Sequence, residues 1–200
     1  YDKIMLERNH RKEGPVMKVD TIPIFADAVP GFEYDNYYLS MDLTAFDVDD
    51  LLEDDLLRNQ FFTAKNLMEN FRLGKLKTSE VFDIELLAKW TAIGDVMGAW
   101  HGFSFNNMRF YFNSITSMFE PVPDDDYNER SLNYTADFRL FRLNDQYHNS
   151  FFLRNLFSDY EFVEEYMKQL VRISDNKYLD DLFVEFNDEI IELSNILAMD

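Results

Sequence analysis

Hydrophobic residues along this chain fall mostly on a helical repeat, interrupted near the middle by a stretch that alternates instead. Leu57, Phe61, Ala64, Met68 and Phe71 step by four and three residues. That spacing places them on one face of a helical segment predicted to begin near Val48 and to end near Gly74. A second helix is expected from Asp83, whose carboxylate suits the N-cap. It runs through Ile84, Leu87, Ala88, Ala92 and Val96 to about Trp100. Met108–Asn113 (MRFYFN) and Met118–Val122 then read as two strands joined by a turn, with Asp124–Asn133 a polar loop. Ser158-Asp159-Tyr160-Glu161 has the form of a capping box. The helix it introduces carries Phe162, Val163, Tyr166, Met167, Leu170 and Val171 and stops near Ser174. Beyond Asp175, the stripe Leu179, Leu182, Phe183, Phe186, Ile190, Leu193 and Leu197 predicts one long amphipathic helix. Asp180, Asp181, Glu185, Asp188, Glu189 and Glu192 occupy its other face.

The first forty residues are mixed. A short helix or turn is expected around Ile4–Arg11 and a strand over Pro15–Val19, before a loop punctuated by Pro23, Pro30 and Gly31. The pattern as a whole predicts a single α+β domain over residues 1–200, predominantly helical with a small β element in the middle.

Composition narrows the range of functions. With 46% hydrophobic residues the chain can bury a real core, and 20 Phe and 11 Tyr make that core rich in rings. A formal charge of −19 repels phosphate backbones and anionic lipid, so neither nucleic acid nor a membrane surface is an expected partner. A solvated acidic surface accounts for that charge most simply; attraction for cations or basic protein substrates is the sharper alternative. No apolar run approaches the roughly 20 residues of a membrane span. Cysteine is absent, which removes disulfides, thiolate metal sites and thiol nucleophiles. The chain begins at Tyr1 without a signal peptide, so a processed product or an excised piece of a longer protein is expected.

Spacing suggests chemistry in one stretch, Asp95 to Tyr127. Asp124, Asp125 and Asp126 follow the stiff approach Pro121-Val122-Pro123. A cation would relieve their mutual repulsion, and magnesium takes one or two protein carboxylates together with substrate phosphates. A solvated loop is the plain alternative. Asn106 and Asn107 precede the first strand. They offer neutral hard oxygen ligands, or else a helix-end pair suited to left-handed backbone. His101, where the helix breaks before Gly102, can act as acid or base near neutrality or can cap the last turn. Glycine-rich phosphate loops and the G-x-S-x-G elbow do not occur.

Three blocks resemble the CotH family, the spore coat protein H group of atypical kinases: LERNHRKEGPVMK (6–18), NQFFTAKNLMENFRLGKLKTSEVFDIELLAKWTAIGDVMGAWHG (59–102) and NNMRFYFNSITSMFEPVPDDD (106–126). They cover somewhat under half of the chain, in the family's order. The resemblance implies a protein kinase-like fold that binds ATP with Mg2+ or Mn2+ and phosphorylates protein substrates. Here that fold would be its helical lobe with a β-hairpin at the metal site, most of the N-terminal lobe lying upstream of Tyr1. In kinase chemistry an Asp orients the attacking hydroxyl, and an Asn and a second Asp hold metal. Asn107 matches the metal-binding Asn, and Asp125, with Asp124 beside it, matches the metal-binding Asp. The expected catalytic Asp position, five residues before Asn107, is Gly102. His101 next to it, or Asp95 in an altered loop, then takes the acid–base role, His101 being the better placed. Glu7 and Lys18 in the first block fall on the nucleotide side, or are ordinary surface charges flanking a strand. The alternatives are a catalytically weakened kinase-fold structural or scaffolding protein of the cell envelope or spore surface, and an acidic helical adaptor unrelated to kinases. The absence of cysteine together with the resemblance points to a cell-envelope or extracytoplasmic setting.

Overall fold

The computed structural model describes residues 3–19, 38–39, 41–97, 99, 101–103, 107–123 and 151–198. Its architecture is α+β. Helix α1 (Lys3–Arg8) leads into β1 (Val16–Val19), and β2 is Leu43–Ala45. Four helices follow: α2 (Val48–Glu53), α3 (Asp55–Arg72), α4 (Thr78–Val81) and α5 (Ile84–Met97). After the hairpin β3 (Phe110–Asn113) and β4 (Met118–Pro121) come α6 (Phe151–Phe157), α7 (Tyr160–Ile173), α8 (Tyr178–Glu185) and α9 (Asn187–Leu197). No helix among the described residues is long and apolar enough to cross a membrane.

The strands form one antiparallel sheet in the order β2-β1-β3-β4. Met17 lies opposite both Ala45 and Phe110, and Phe112 opposite Phe119. Side chains alternate across a strand, so Leu43, Ala45, Met17, Phe110, Phe112 and Phe119 share one buried face. Against it pack Phe61, Met68 and Phe71 of α3, Leu87 and Trp90 of α5, and Phe152 and Leu156 of α6. Phe82 sits among these rings, edge-on to Phe71 at 5.0 Å and to Phe110 at 5.1 Å. The opposite face holds a smaller cluster of Leu6, Val16 and Tyr111 under α1.

Polar contacts lock the helices to one another. The Asp54 carboxylate accepts from the Leu56 and Leu57 amides at 2.8 and 2.9 Å and starts α3. The same helix stops at Gly74, whose φ of 67° is the left-handed geometry glycine adopts without strain. Asn155 of α6 donates to the final α3 carbonyls, Phe71 at 3.0 Å and Arg72 at 3.3 Å. The buried Arg72 guanidinium pairs with Glu69 and donates to the carbonyls of Tyr38 and Met41. It thereby ties the chain before β2 to α3.

Asp159 joins two helix starts. One oxygen accepts from the Glu161 amide at 3.1 Å and caps α7; the other accepts from the Ser79 amide of α4 at 2.8 Å. Burial pushes this carboxyl up, but the bonds from Ser79 and Glu161 and the charge of Lys77 outweigh it and hold the pKa below the ordinary value. A depressed folded-state pKa contributes stability that is complete above the unfolded value of about 3.9 and is lost as pH falls through the lower folded value. Asp159→Ala is expected to lose about 1 kcal/mol at pH 7, as for other cap removals. The deficit should shrink below pH 4 in urea melts followed by circular dichroism.

Several expectations need correction. The helix expected over Leu179–Leu197 is two helices, interrupted at Phe186, and every residue from 183 to 198 is exposed. Helix α5 ends at Met97 rather than about Trp100, and Val96 faces outward. The three-residue strand β2 was not expected, because Leu43-Thr44-Ala45 is too short to show alternation. The hairpin strands, the α3 face and the cap at Asp83, whose carboxylate accepts from the Leu86 amide at 3.1 Å, agree with expectation.

Candidate functional site

The segment from Asp95 onward is held at both ends. On the helix side, α5 closes with the Ala99 amide donating to the Gly94 carbonyl at 2.8 Å. The chain then makes a single 3-10 turn, His101–Phe103, and the Phe103 ring stacks on Trp90 at 4.1 Å. Gly94 permits this, since a Cβ there would lie 2.2 Å from the Phe103 ring. On the strand side, the Phe119 carbonyl accepts from the Asp83 amide at 2.9 Å, so β4 is pinned to the start of α5. The Val122 amide donates to the Arg109 carbonyl at 2.9 Å and carries the strand pairing past Pro121. Between these clamps, Asn107 stands half-buried in the turn that feeds β3.

The hairpin itself is closed by Asn113. Its carbonyl accepts from the Ser117 amide at 2.8 Å, and its side-chain oxygen accepts from the Ile115 amide at 3.0 Å. Ser117 takes a φ of 58° to complete the turn. The Asn113 amide group donates to Glu120 at 2.7 Å, and Glu120 accepts from Arg11 at 2.6 Å. The Glu120 hydrogen bond holds the Arg11 pKa above its ordinary value despite partial burial. This three-residue link joins the chain after α1 to the outer face of the hairpin.

The residues expected to carry chemistry fall in different settings. Asp95 is buried on α5, and its carboxylate accepts from the phenol of Tyr166 on α7. Burial first, and then the bond to Asp95, push the Tyr166 pKa well above its ordinary value, so the phenol remains a donor at neutral pH. Asp95 therefore joins two helices. His101 opens the 3-10 turn between α5 and Asn107. Glu7 is exposed on α1, while Lys18 lies on the outer face of the sheet with its ammonium 4.5 Å over the Phe46 ring. Arg109 approaches the same ring at 5.5 Å. Phe46 and Val122 both pack on the cluster of Leu6, Val16 and Tyr111. The sheet thus brings Lys18 to the side on which the chain leaves β4. Asp124 and Asp125 lie outside the described residues. Among the described residues, no three acidic or imidazole side chains gather as a metal site.

As residue types, an Asn side chain and the carboxylates that follow Pro123 in sequence belong to the hard oxygen donors. Sequence reasoning missed three parts of this arrangement, Arg11, Glu120 and Tyr166. Each acts through a partner far away in the chain, and no local spacing signals such pairings. Gly94 was legible only as a glycine inside a helix. Compared with models of known families, with curated proteins and with solved structures, the chain matches none.

Proposed function

We propose that the chain is the helical lobe and metal-binding hairpin of an atypical protein kinase-like domain of the CotH type. It binds ATP with Mg2+ or Mn2+ and transfers phosphate to protein substrates, coat or envelope proteins among them. One observation carries the reading. Helix α5, the 3-10 turn, Asn107 and a clamped hairpin follow one another in the order the chemistry needs, and the acidic run follows in sequence. Lys18, on the face toward which β4 runs out, supports a role on the nucleotide side.

In this reading Asn107 and Asp125, with Asp124 beside it, hold the metal, and a bound divalent ion supplies charge neutralisation at the phosphates. His101 takes the proton of the attacking hydroxyl, because the Asp95 carboxylate is engaged by Tyr166. Asp95 positions the end of α5, from which the 3-10 turn departs. Incubation of the full chain with labelled ATP, metal and protein substrates is expected to show phosphate transfer that falls at least about 100-fold in His101→Ala, the usual scale for a lost acid or base. Unchanged transfer in that variant would remove His101 from the role.

A second reading has its own observation. Gly102 stands where the catalytic Asp is expected, and Asp95 is already bonded within the fold. That pair favours a catalytically weakened scaffold of the cell envelope or spore surface, which would bind nucleotide weakly or not at all and show no transfer.

A further inference from the structure

Among the described residues, nothing covers the apolar stripe of helices α8 and α9. Leu179, Phe183, Phe186, Ile190, Leu193 and Leu197 are 42–77% exposed. Isolated helices shorter than roughly 12–15 residues are marginal in water even when rich in alanine. These helices have eight and eleven residues, and neither buries a residue in the core. Amphipathic helices of this length gain their stability from whatever covers the apolar face.

Charge states what kind of surface that is. From Tyr178 to Ala198 the chain has no Lys or Arg, against Asp180, Asp181, Glu185, Asp188, Glu189 and Glu192. A second copy of the chain would bring the same carboxylates to the rim, and like charges across an interface are unfavourable. A helix with lysines or arginines flanking its own apolar stripe would bury the leucines and pair the rim together. We propose that α8–α9 is a docking surface for a basic amphipathic helix of a partner protein. The proposal stands independently of the kinase reading.

The full chain is titrated with two labelled peptides of identical leucine and lysine content, followed by fluorescence anisotropy. One has leucines at helical spacing; in the other the order is scrambled so that no face forms. The helical peptide is expected to bind at least about tenfold more tightly, and Phe183→Ser with Ile190→Ser to weaken it by about tenfold or more. These side chains are exposed, so the fold should survive, as circular dichroism of the core will show. Asp180→Asn, Asp181→Asn and Glu185→Gln together leave the stripe intact and are expected to reduce the salt dependence of binding. Equal binding of the two peptides, or indifference to both variants, would overturn the proposal. So would a dimer in sedimentation that the serine variant dissociates, since a second copy would then be the occupant. Tighter binding to anionic vesicles than to the helical peptide would overturn it as well. Nucleotide binding is expected to be unchanged in both variants, which keeps this result separate from the test of the kinase reading.

Discussion

Replacing Phe82 with alanine is expected to destabilise the protein by about 3–5 kcal/mol, the range for deleting a buried aromatic ring. The ring is fully buried, edge-on to Phe71 and Phe110, and 6.3 Å from Phe152 on α6. Its removal leaves a void bordered by α3, β3 and α6 at once, and rigid rings on three sides cannot collapse to fill it. The loss reaches the candidate site, because Phe82 also bridges Phe119 of β4, the strand that the acidic run follows in sequence. Urea denaturation should show a lower midpoint with an unchanged slope. Phe62→Ala serves as the control, since that ring is 54% exposed and should change stability by less than about 0.5 kcal/mol. A loss below about 1 kcal/mol for Phe82→Ala would mean that the ring cluster does not hold the sheet to the helices.

Gly94→Ala is the second large effect. Alanine gains up to about 1 kcal/mol of helix propensity over glycine. Against this, the new methyl would sit 2.2 and 2.6 Å from two carbons of the Phe103 ring. A planar ring stacked on Trp90 cannot bend away at its tip, so Phe103 must leave its place or α5 must shift. Overpacking of this kind costs about 1–3 kcal/mol and outweighs the propensity gain. The expected signature is a changed near-ultraviolet spectrum as Trp90 loses its stacked partner. On the proposed kinase reading, phosphate transfer would fall too, because the 3-10 turn carrying His101 is anchored through Phe103. An unaltered spectrum and melting midpoint would contradict the packing described for this turn.

Local chemistry made much of the fold legible. The three-and-four spacing of Phe61, Ala64, Met68 and Phe71 identified the buried face of α3, and alternation in Phe110–Asn113 identified the strand at the centre of the site. Distance along the chain hid the rest. Asp95 reads as a spare carboxylate until Tyr166, 71 residues later, is seen donating to it. Arg72 is buried and donates to the carbonyls of Tyr38 and Met41, more than thirty residues earlier. The stripe from Leu179 to Leu197 shows the opposite failure. Periodicity established that these helices are amphipathic, but amphipathicity says nothing about what the apolar face meets, and here it meets no part of the described core. At the site, alternation located the two hairpin strands. It was silent on the clamps at Gly94, Asp83 and Val122 that hold them.

In the proposed reading, Asn107 and the carboxylates that follow the hairpin in sequence hold a metal–nucleotide complex. Calorimetric titration of the full chain with ATP, with and without Mg2+ or Mn2+, tests it most directly. Saturable binding that requires the metal is expected, lost in both Asn107→Ala and Asp125→Ala while circular dichroism shows both variants folded. Absence of binding, or binding indifferent to both substitutions, would contradict it.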